Sequence, residues 1–112
     1  MKDTFVVTGG AGFIGSAFVS KLNSEGIDNI IIVDQIGESS RWKNLLNLKF
    51  ADYVQKDIFL ESLDRSYSRG ISAIIHMGAI SSTTEDNFDL LAENNYRYSC
   101  RLAEFAAKRK IR

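Results

Sequence analysis

A glycine-rich segment near the N-terminus constrains this chain more than any other feature. An apolar run, Phe5 to Val7, leads into three glycines at a spacing of three, Gly9, Gly12 and Gly15, and an amphipathic pattern follows. An uninterrupted apolar run is typical of a strand that is buried on both faces, as in a parallel sheet. The segment therefore predicts a strand, a tight turn and a helix in immediate succession.

Each glycine of this spacing has a physical role in a phosphate-binding turn. Gly9 permits the sharp turn off the strand, Gly12 lets a pyrophosphate approach the backbone, and Gly15 lets the helix pack closely on the sheet. The free amides and the dipole at the start of a helix favour a phosphate anion. An acid, Asp34, ends the next apolar run about 20 residues on, where a dinucleotide site places its ribose partner. The combined pattern predicts a dinucleotide-binding site.

Apolar runs alternate with helical patterns along the rest of the chain. Strands are predicted at 5–8, 29–34, 51–55 and 71–76, and helices at 12–24, 59–67 and 86–110, with a helical turn at 42–48. Such alternation predicts an α/β fold, a Rossmann-type doubly wound parallel sheet with strand order 3-2-1-4. The sequence offers no fifth or sixth strand. We therefore expect residues 1–112 to form an incomplete NAD(P)-binding Rossmann domain, the N-terminal part of a larger enzyme whose substrate domain is absent.

Two helices carry apolar stripes that predict which faces are buried. In the first helix the predicted stripe consists of Ile14, Ala17, Phe18 and Leu22. In the last helix, residues at alternating spacings of three and four form one face: Phe88, Leu91, Asn95, Tyr98, Leu102 and Phe105.

Composition and charge exclude several classes of function. The chain has 112 residues with 14 Lys+Arg and 14 Asp+Glu, so its net charge is zero and a nucleic-acid partner is not expected. No segment approaches the length of a membrane span, and no cluster of ligands suits a metal ion. A single cysteine, Cys100, excludes an internal disulfide, and no signal-peptide pattern is present, which together predict a cytoplasmic protein.

Several motifs resemble those of a known family. Segment 8–15, TGGAGFIG, is similar to the fingerprint of extended short-chain dehydrogenases/reductases. Lys56, Asp57 and segment 76–79 lie where that family has its adenine-side acid and its motif after the fourth strand. Segments 51–53, 76–85 and 94–99 resemble, more narrowly, the ADP-heptose 6-epimerases within it. This resemblance covers the whole chain but only the first part of those enzymes.

The resemblance implies an enzyme that inverts C6 of ADP-heptose by transient oxidation with bound NADP, in lipopolysaccharide inner-core synthesis. The substrate would be a nucleotide sugar, and the full-length protein is expected to be a homo-oligomer. Backbone contacts to the pyrophosphate are implied for Phe13 and Ile14, and contacts to the adenosine ribose for Asp34 and Gln35. Arg41 and Lys56 match basic positions near the adenosine phosphate. The implied residues on the nicotinamide side are Met77, Gly78, Ala79, Ile80 and Ser81, with Asn94 steadying the region after the fourth strand.

The choice between NADP and NAD stays open on the residues alone. Asp34 favours NAD, because its carboxylate binds a ribose 2′-hydroxyl and repels a 2′-phosphate. Arg41 and Lys56 are able to offset that repulsion, and the resemblance favours NADP. Arg41 is equally compatible with a solvated cation on a loop.

No catalytic residue is predicted within the chain. The family uses a Tyr-x-x-x-Lys pair, and none of the four tyrosines is followed by lysine four residues later. The only histidine, His76, is interpreted as a structural residue beside the cofactor, because a lone histidine without a partner is a poor acid–base catalyst. The segment alone is therefore expected to be inactive. Two alternatives remain: another extended sugar-nucleotide epimerase, dehydratase or reductase, or a non-catalytic NAD(P)-binding protein.

Overall fold

One parallel sheet of four strands organises the fold. The computed structural model describes residues 3–37, 40–62, 70–77 and 96–112. The strands are β1 (Thr4–Thr8), β2 (Ile30–Asp34), β3 (Asp52–Gln55) and β4 (Ile71–His76), and their order in the sheet is β3-β2-β1-β4. Every neighbouring pair is parallel. The predicted fold class and strand order are therefore confirmed.

Helices lie between successive strands and after the last one. They are α1 (Phe13–Ser24), a 3₁₀ helix (Ser40–Leu45), α2 (Lys56–Ser62) and α3 (Tyr98–Arg109). Helix α2 begins directly after β3, three residues earlier than predicted. Helix α3 is the final part of the long helix predicted at 86–110. Residues 63–67 and 86–95 of the predicted helices lie outside the described ranges.

Both faces of the sheet are buried, which explains the continuous apolar runs of its inner strands. On one face, Val7 and Ile32 pack with Val19 of α1. On the opposite face, a larger cluster joins the sheet to α2 and α3; it comprises Val6, Ile31, Val33, Val54, Phe59, Leu60, Ile71, Tyr98, Leu102 and Phe105. The part of the α3 stripe that the structure describes is thus buried as predicted.

The stripe predicted for α1 is wrong. Its buried residues are Gly15 and Val19, whereas Ile14 is 63% exposed and Phe18 is 38% exposed. Ala17 is also exposed, and only Leu22 of the predicted set packs against the core. The helix is turned so that its glycine, rather than its largest apolar side chains, faces the turn after β1.

The last residues of the chain lie along the edge of β4 that β1 leaves open. The amide of Ile74 donates a 2.7 Å hydrogen bond to the carbonyl of Arg112, and Ile111 packs against the larger core cluster. The backbone therefore returns to the sheet beside β4 after α3.

Candidate dinucleotide-binding site

The candidate site lies where three segments meet beyond the carboxyl ends of β1 and β2. They are the glycine turn 9–12, the residues that follow Asp34, and the 3₁₀ helix. The turn is joined to β2 by a 2.7 Å hydrogen bond from the Gly9 amide to the Val33 carbonyl. In open parallel sheets, ligands bind outside this edge.

The fold itself requires three of the glycines. Gly9 has φ +68°, in the left-handed region that favours glycine. A Cβ on Gly15 would lie 2.1 Å from the carbonyl oxygen of Gly9, so α1 contacts the turn too closely for any side chain. The close packing predicted for Gly15 is therefore made against the turn. Sequence spacing missed Gly10, whose Cβ would lie 2.8 Å from the Ile32 side chain.

The fold constrains Gly12 less than it constrains these glycines. Its φ of −74° and ψ of 173° describe an extended backbone that any residue adopts, and a Cβ would make one tight contact, with the Gly9 carbonyl oxygen at 3.3 Å. Gly12 is the N-cap of α1 and supplies no side-chain acceptor to the first-turn amides. The next residues, Phe13 and Ile14, expose 86% and 63% of their side chains. This helix start thus has no side-chain cap and presents the positive end of its dipole, which suits a phosphate anion.

The carboxylate of Asp34 joins the turn to the segment after β2. The residue is 8% exposed, and its Oδ2 accepts the Ala11 amide at 3.0 Å. Its Oδ1 accepts the Gln35 amide at 2.7 Å and Arg41 Nη1 at 3.1 Å. Arg41 Nη2 also donates to the Gln35 carbonyl at 2.6 Å. Arg41 is therefore an ion-pair partner of a buried acid, and the interpretation as a solvated loop cation is wrong.

Two side chains that sequence analysis missed hold the same region. Asn44 of the 3₁₀ helix donates a 2.8 Å hydrogen bond from Nδ2 to the Ala11 carbonyl. The Tyr53 hydroxyl donates to the Asp34 carbonyl at 3.1 Å and accepts the Ile36 amide at 3.2 Å. Both contacts join side chains to backbone across turns. No sequence pattern distinguishes these residues from ordinary surface polar ones.

Lys56 and Asp57 begin α2 at the carboxyl end of β3. The Lys56 Nζ lies 5.8 Å from the centre of the Tyr98 ring, and the Tyr98 hydroxyl donates to the Lys56 carbonyl at 3.0 Å. Burial raises the pKa of Tyr98 well above its usual value, with smaller contributions from the charges of Asp57 and Asp34. The hydroxyl thus stays protonated and fixes the start of α2 against α3.

His76, at the end of β4, is held on both ring nitrogens. Its Nδ1 shares a hydrogen bond with the Thr8 hydroxyl, and its Nε2 shares one of 2.7 Å with the Ser99 hydroxyl. The ring stacks on Tyr98 with centroids 6.1 Å apart. Burial lowers the pKa of His76. A neutral imidazole that links β1, β4 and α3 agrees with a structural role.

Met77 is the described residue of the predicted nicotinamide side. Its amide donates to the Thr8 hydroxyl at 2.9 Å, and its side chain is 40% exposed. The other predicted residues of that side lie outside the described ranges: Gly78, Ala79, Ile80, Ser81 and Asn94.

The described residues contain neither a metal-binding cluster nor a membrane-spanning helix. Within residues 3–37, 40–62, 70–77 and 96–112, no group of three or more His, Cys, Asp or Glu could hold a metal ion. In the same ranges, no helix has the length and apolar character needed to cross a membrane.

Comparison with known proteins decides the family. A family model described as the NAD dependent epimerase/dehydratase family matches residues 5–112. The chain belongs to this family. Membership supports a nicotinamide dinucleotide as the cofactor class of the site described above.

Two curated relatives carry the name of a single enzyme within this family. The chain is 50% identical over 101 residues to an ADP-L-glycero-D-manno-heptose-6-epimerase of Nitratidesulfovibrio vulgaris (strain DP4), covering 89% of this chain and 31% of that one. It is 44% identical over 108 residues to the enzyme of that name from Fusobacterium nucleatum, covering 96% and 32%. The chain thus spans about a third of the length of these relatives.

Solved structures agree with the observed fold. The crystal structure of the Helicobacter pylori ADP-L-glycero-D-manno-heptose-6-epimerase matches with a TM-score of 0.80 and 26% identity, over 99% of this chain and 37% of that one. A UDP-glucose 4-epimerase of Thermotoga maritima matches with a TM-score of 0.73 and 28% identity, over 96% and 35%.

Proposed function

We propose that the chain is the N-terminal, cofactor-binding part of an epimerase that inverts C6 of ADP-heptose with bound NADP, in lipopolysaccharide inner-core synthesis. Two curated relatives that carry the heptose epimerase name, at 50% and 44% identity, support this substrate. In this proposal residues 1–112 are an incomplete Rossmann domain, and the substrate domain belongs to the remainder of a cytoplasmic, homo-oligomeric enzyme.

The observation that carries the cofactor part of the proposal is the environment of Gly12. Gly9, Gly10 and Gly15 are each strictly required by the fold, whereas Gly12 has an ordinary backbone conformation and a single tight contact for a Cβ, at 3.3 Å from the Gly9 oxygen. A glycine with this weaker structural requirement, at the uncapped start of α1, is explained by the need to keep the space in front of the helix open. A pyrophosphate approaching the backbone needs that space.

The pairing of Asp34 with Arg41 supports NADP over NAD. A bare carboxylate at the end of the second strand would accept a ribose 2′-hydroxyl and repel a 2′-phosphate. Here the Arg41 guanidinium lies 3.1 Å from that carboxylate, and its side chain is 41% exposed. It neutralises the acid and keeps surface available for a phosphate, which guanidinium groups bind well. NAD remains the alternative cofactor.

The remaining cofactor contacts are proposed from the resemblance. Phe13 and Ile14 would bind the pyrophosphate through their amides, Gln35 the adenosine ribose, and Lys56 and Asp57 the adenosine end. When bound, the nicotinamide ring supplies the hydride acceptor and donor of the epimerisation. We place its surroundings at Met77, Gly78, Ala79, Ile80 and Ser81, with Asn94 as their support.

The acid–base pair of the reaction is proposed to lie outside residues 1–112. No tyrosine of this sequence has a lysine four residues later. His76 is hydrogen-bonded on both nitrogens and its pKa is lowered by burial, so it is poorly suited to take up a proton. The 112-residue segment would therefore bind a cofactor without turning over substrate.

A second candidate is epimerisation of another nucleotide sugar. The Thermotoga maritima UDP-glucose 4-epimerase, at 28% identity, supports this possibility. Both epimerases share the fold of this chain, so an assay with both nucleotide sugars separates the two candidates.

The experiment is an epimerisation assay of the complete enzyme with ADP-heptose and, separately, UDP-glucose. We expect the two C6 epimers of ADP-heptose to interconvert and UDP-glucose to remain unchanged. The 112-residue segment alone, as the control, should be inactive with both substrates. Turnover of UDP-glucose only would support the second candidate, and cofactor binding without any turnover would support a non-catalytic protein.

A further inference from the structure

The peptide groups around Ala11, in the middle of the glycine turn, are held from several sides. Ala11 is fully buried, its amide donates to Asp34 Oδ2 at 3.0 Å, and its carbonyl accepts Asn44 Nδ2 at 2.8 Å. The next amide, that of Gly12, donates to the Gly9 carbonyl at 3.0 Å. The peptide between Ala11 and Gly12 is thus bonded at both its oxygen and its hydrogen.

These two bonds fix the orientation of that peptide. In a planar trans peptide the C=O and N–H groups point in opposite directions, so a rotation of the peptide would break both bonds at once. The peptide leads directly into α1, whose first turn begins at Phe13. Fixing it sets the direction in which the amides of that turn point before any ligand arrives, and such preorganisation reduces the free-energy cost of binding.

We propose that Asn44 is a positioning residue for the pyrophosphate of the dinucleotide. It acts from outside the turn, through the Ala11 carbonyl, and holds the start of α1 in the orientation that receives the phosphates. This inference rests on the cofactor site of the proposed function.

The same 3₁₀ helix carries Arg41, which defines a competing explanation. In that explanation, removal of Asn44 displaces the whole helix and so weakens binding at the adenosine end through Arg41, which donates to Asp34 and Gln35. The two explanations differ in which part of the cofactor loses affinity. Ligands with and without a pyrophosphate therefore separate them.

The test is calorimetric titration of the complete protein and its Asn44→Ala variant with three ligands. NADP and ADP-ribose contain a pyrophosphate, and adenosine 2′-monophosphate contains neither of its two phosphates. We expect the Kd of the variant to rise about three- to tenfold for NADP and ADP-ribose, the effect of one net hydrogen bond, with little change for the monophosphate. Asn44→Asp keeps the shape of the side chain but presents an acceptor to the Ala11 carbonyl. Its loss of affinity for NADP and ADP-ribose should therefore be larger.

Asn23, near the end of α1 that is remote from the glycine turn, offers a matched control. Its Nδ2 donates to the carbonyls of Ile27 and Lys49 at 2.9 Å each, far from the glycine turn along α1. Asn23→Ala also removes an amide that supports loop backbone. It should lower Tm without changing the Kd of any of the three ligands.

Three outcomes would overturn the inference. An unchanged Kd for NADP in both Asn44 variants would show that the turn keeps its orientation without Asn44. Equal losses for all three ligands would assign the effect to the adenosine end and Arg41. If the unmodified protein binds neither NADP nor NAD, the proposed function itself fails, and the inference fails with it.

Discussion

At the scale of single residues, the Asp34 carboxylate binds two separate segments of the site. Its Oδ2 accepts the Ala11 amide of the glycine turn, while Oδ1 accepts Gln35 and Arg41. The turn and the segment after β2 are therefore held by the same buried acid. Arg41 balances the charge that would otherwise repel a 2′-phosphate.

We predict that Arg41→Ala lowers the preference for NADP over NAD. The variant loses a cation beside the proposed 2′-phosphate and leaves Asp34 unbalanced. A charge-assisted hydrogen bond contributes about 1.5–3 kcal/mol, and solvent exposure reduces this value, so the ratio of NADP to NAD affinity should fall about tenfold or less. Calorimetric titration of the complete enzyme with each cofactor measures that ratio.

Lys43→Ala is the matched control for this prediction. Lys43 is an exposed cation on the same 3₁₀ helix, and its Nζ lies 5.9 Å from the centre of the Trp42 ring. Its removal should leave the ratio unchanged. If Arg41→Ala also left the ratio unchanged, Arg41 would have no part in selecting the cofactor.

At the scale of elements, His76 connects β4 to β1 and α3 through the hydroxyls of Thr8 and Ser99. Burial lowers its pKa in the folded state below the usual value of 6.5. The unfolded chain therefore takes up a proton first as the pH falls. The contribution of His76 to stability is present above pH 6.5 and is lost below it, as the pH falls toward the folded-state pKa.

We predict that His76→Gln removes this part of the acid sensitivity. Thermal unfolding of the complete enzyme and the variant should be followed between pH 8 and pH 5, roughly the range in which histidine titrates. The Tm of the enzyme should fall as the pH decreases below about 6.5, and the Tm of the variant should fall less over the same interval. Identical slopes for the two proteins would mean that His76 is as easily protonated in the folded state as in the unfolded chain.

The elements themselves show what periodicity can predict. Continuous apolar runs identify the strands because both faces of the sheet are covered, and the described end of the α3 stripe is buried at Tyr98, Leu102 and Phe105. The stripe of α1 was wrong because a backbone contact decides its rotation. Gly15 must face Gly9, and that approach leaves Ile14 exposed. A pattern of apolar residues contains no information about backbone contacts.

Only some features of the candidate site are predictable from the sequence. Glycine spacing and an acid after the second strand predict the turn and Asp34, because those features depend on local conformation and strand order. Asn44 and Tyr53 were missed, since their roles arise from where the 3₁₀ helix and β3 place them after folding. Their residue types are common at ordinary surfaces.

At the scale of the whole molecule, the sheet brings the glycine turn, the Asp34–Arg41 pair and the start of α2 to one edge. Residues distant in sequence meet there because β1, β2 and β3 run parallel and adjacent, so that their carboxyl ends coincide. The family match over residues 5–112 agrees with this arrangement. We propose that this edge binds a dinucleotide in the space in front of Gly12.

Two glycine variants separate binding from folding. Gly15→Ala places a Cβ 2.1 Å from the Gly9 oxygen. Overpacking of this kind lowers the free energy of unfolding by about 1–3 kcal/mol or more, so the Tm of the variant should fall. Gly12→Val introduces a side chain where the backbone is already compatible and the nearest atom is 3.3 Å from the Cβ. Its Tm should fall less than that of Gly15→Ala.

The most direct measurement is calorimetric titration of the complete protein and its Gly12→Val variant with NADP, with the Tm of each recorded alongside. We predict saturable binding by the unmodified protein and no measurable binding by the variant at a Tm that shows it to be folded. The physical reason is that the valine side chain fills the space that the pyrophosphate needs. Equal NADP affinity of the two proteins would contradict the account.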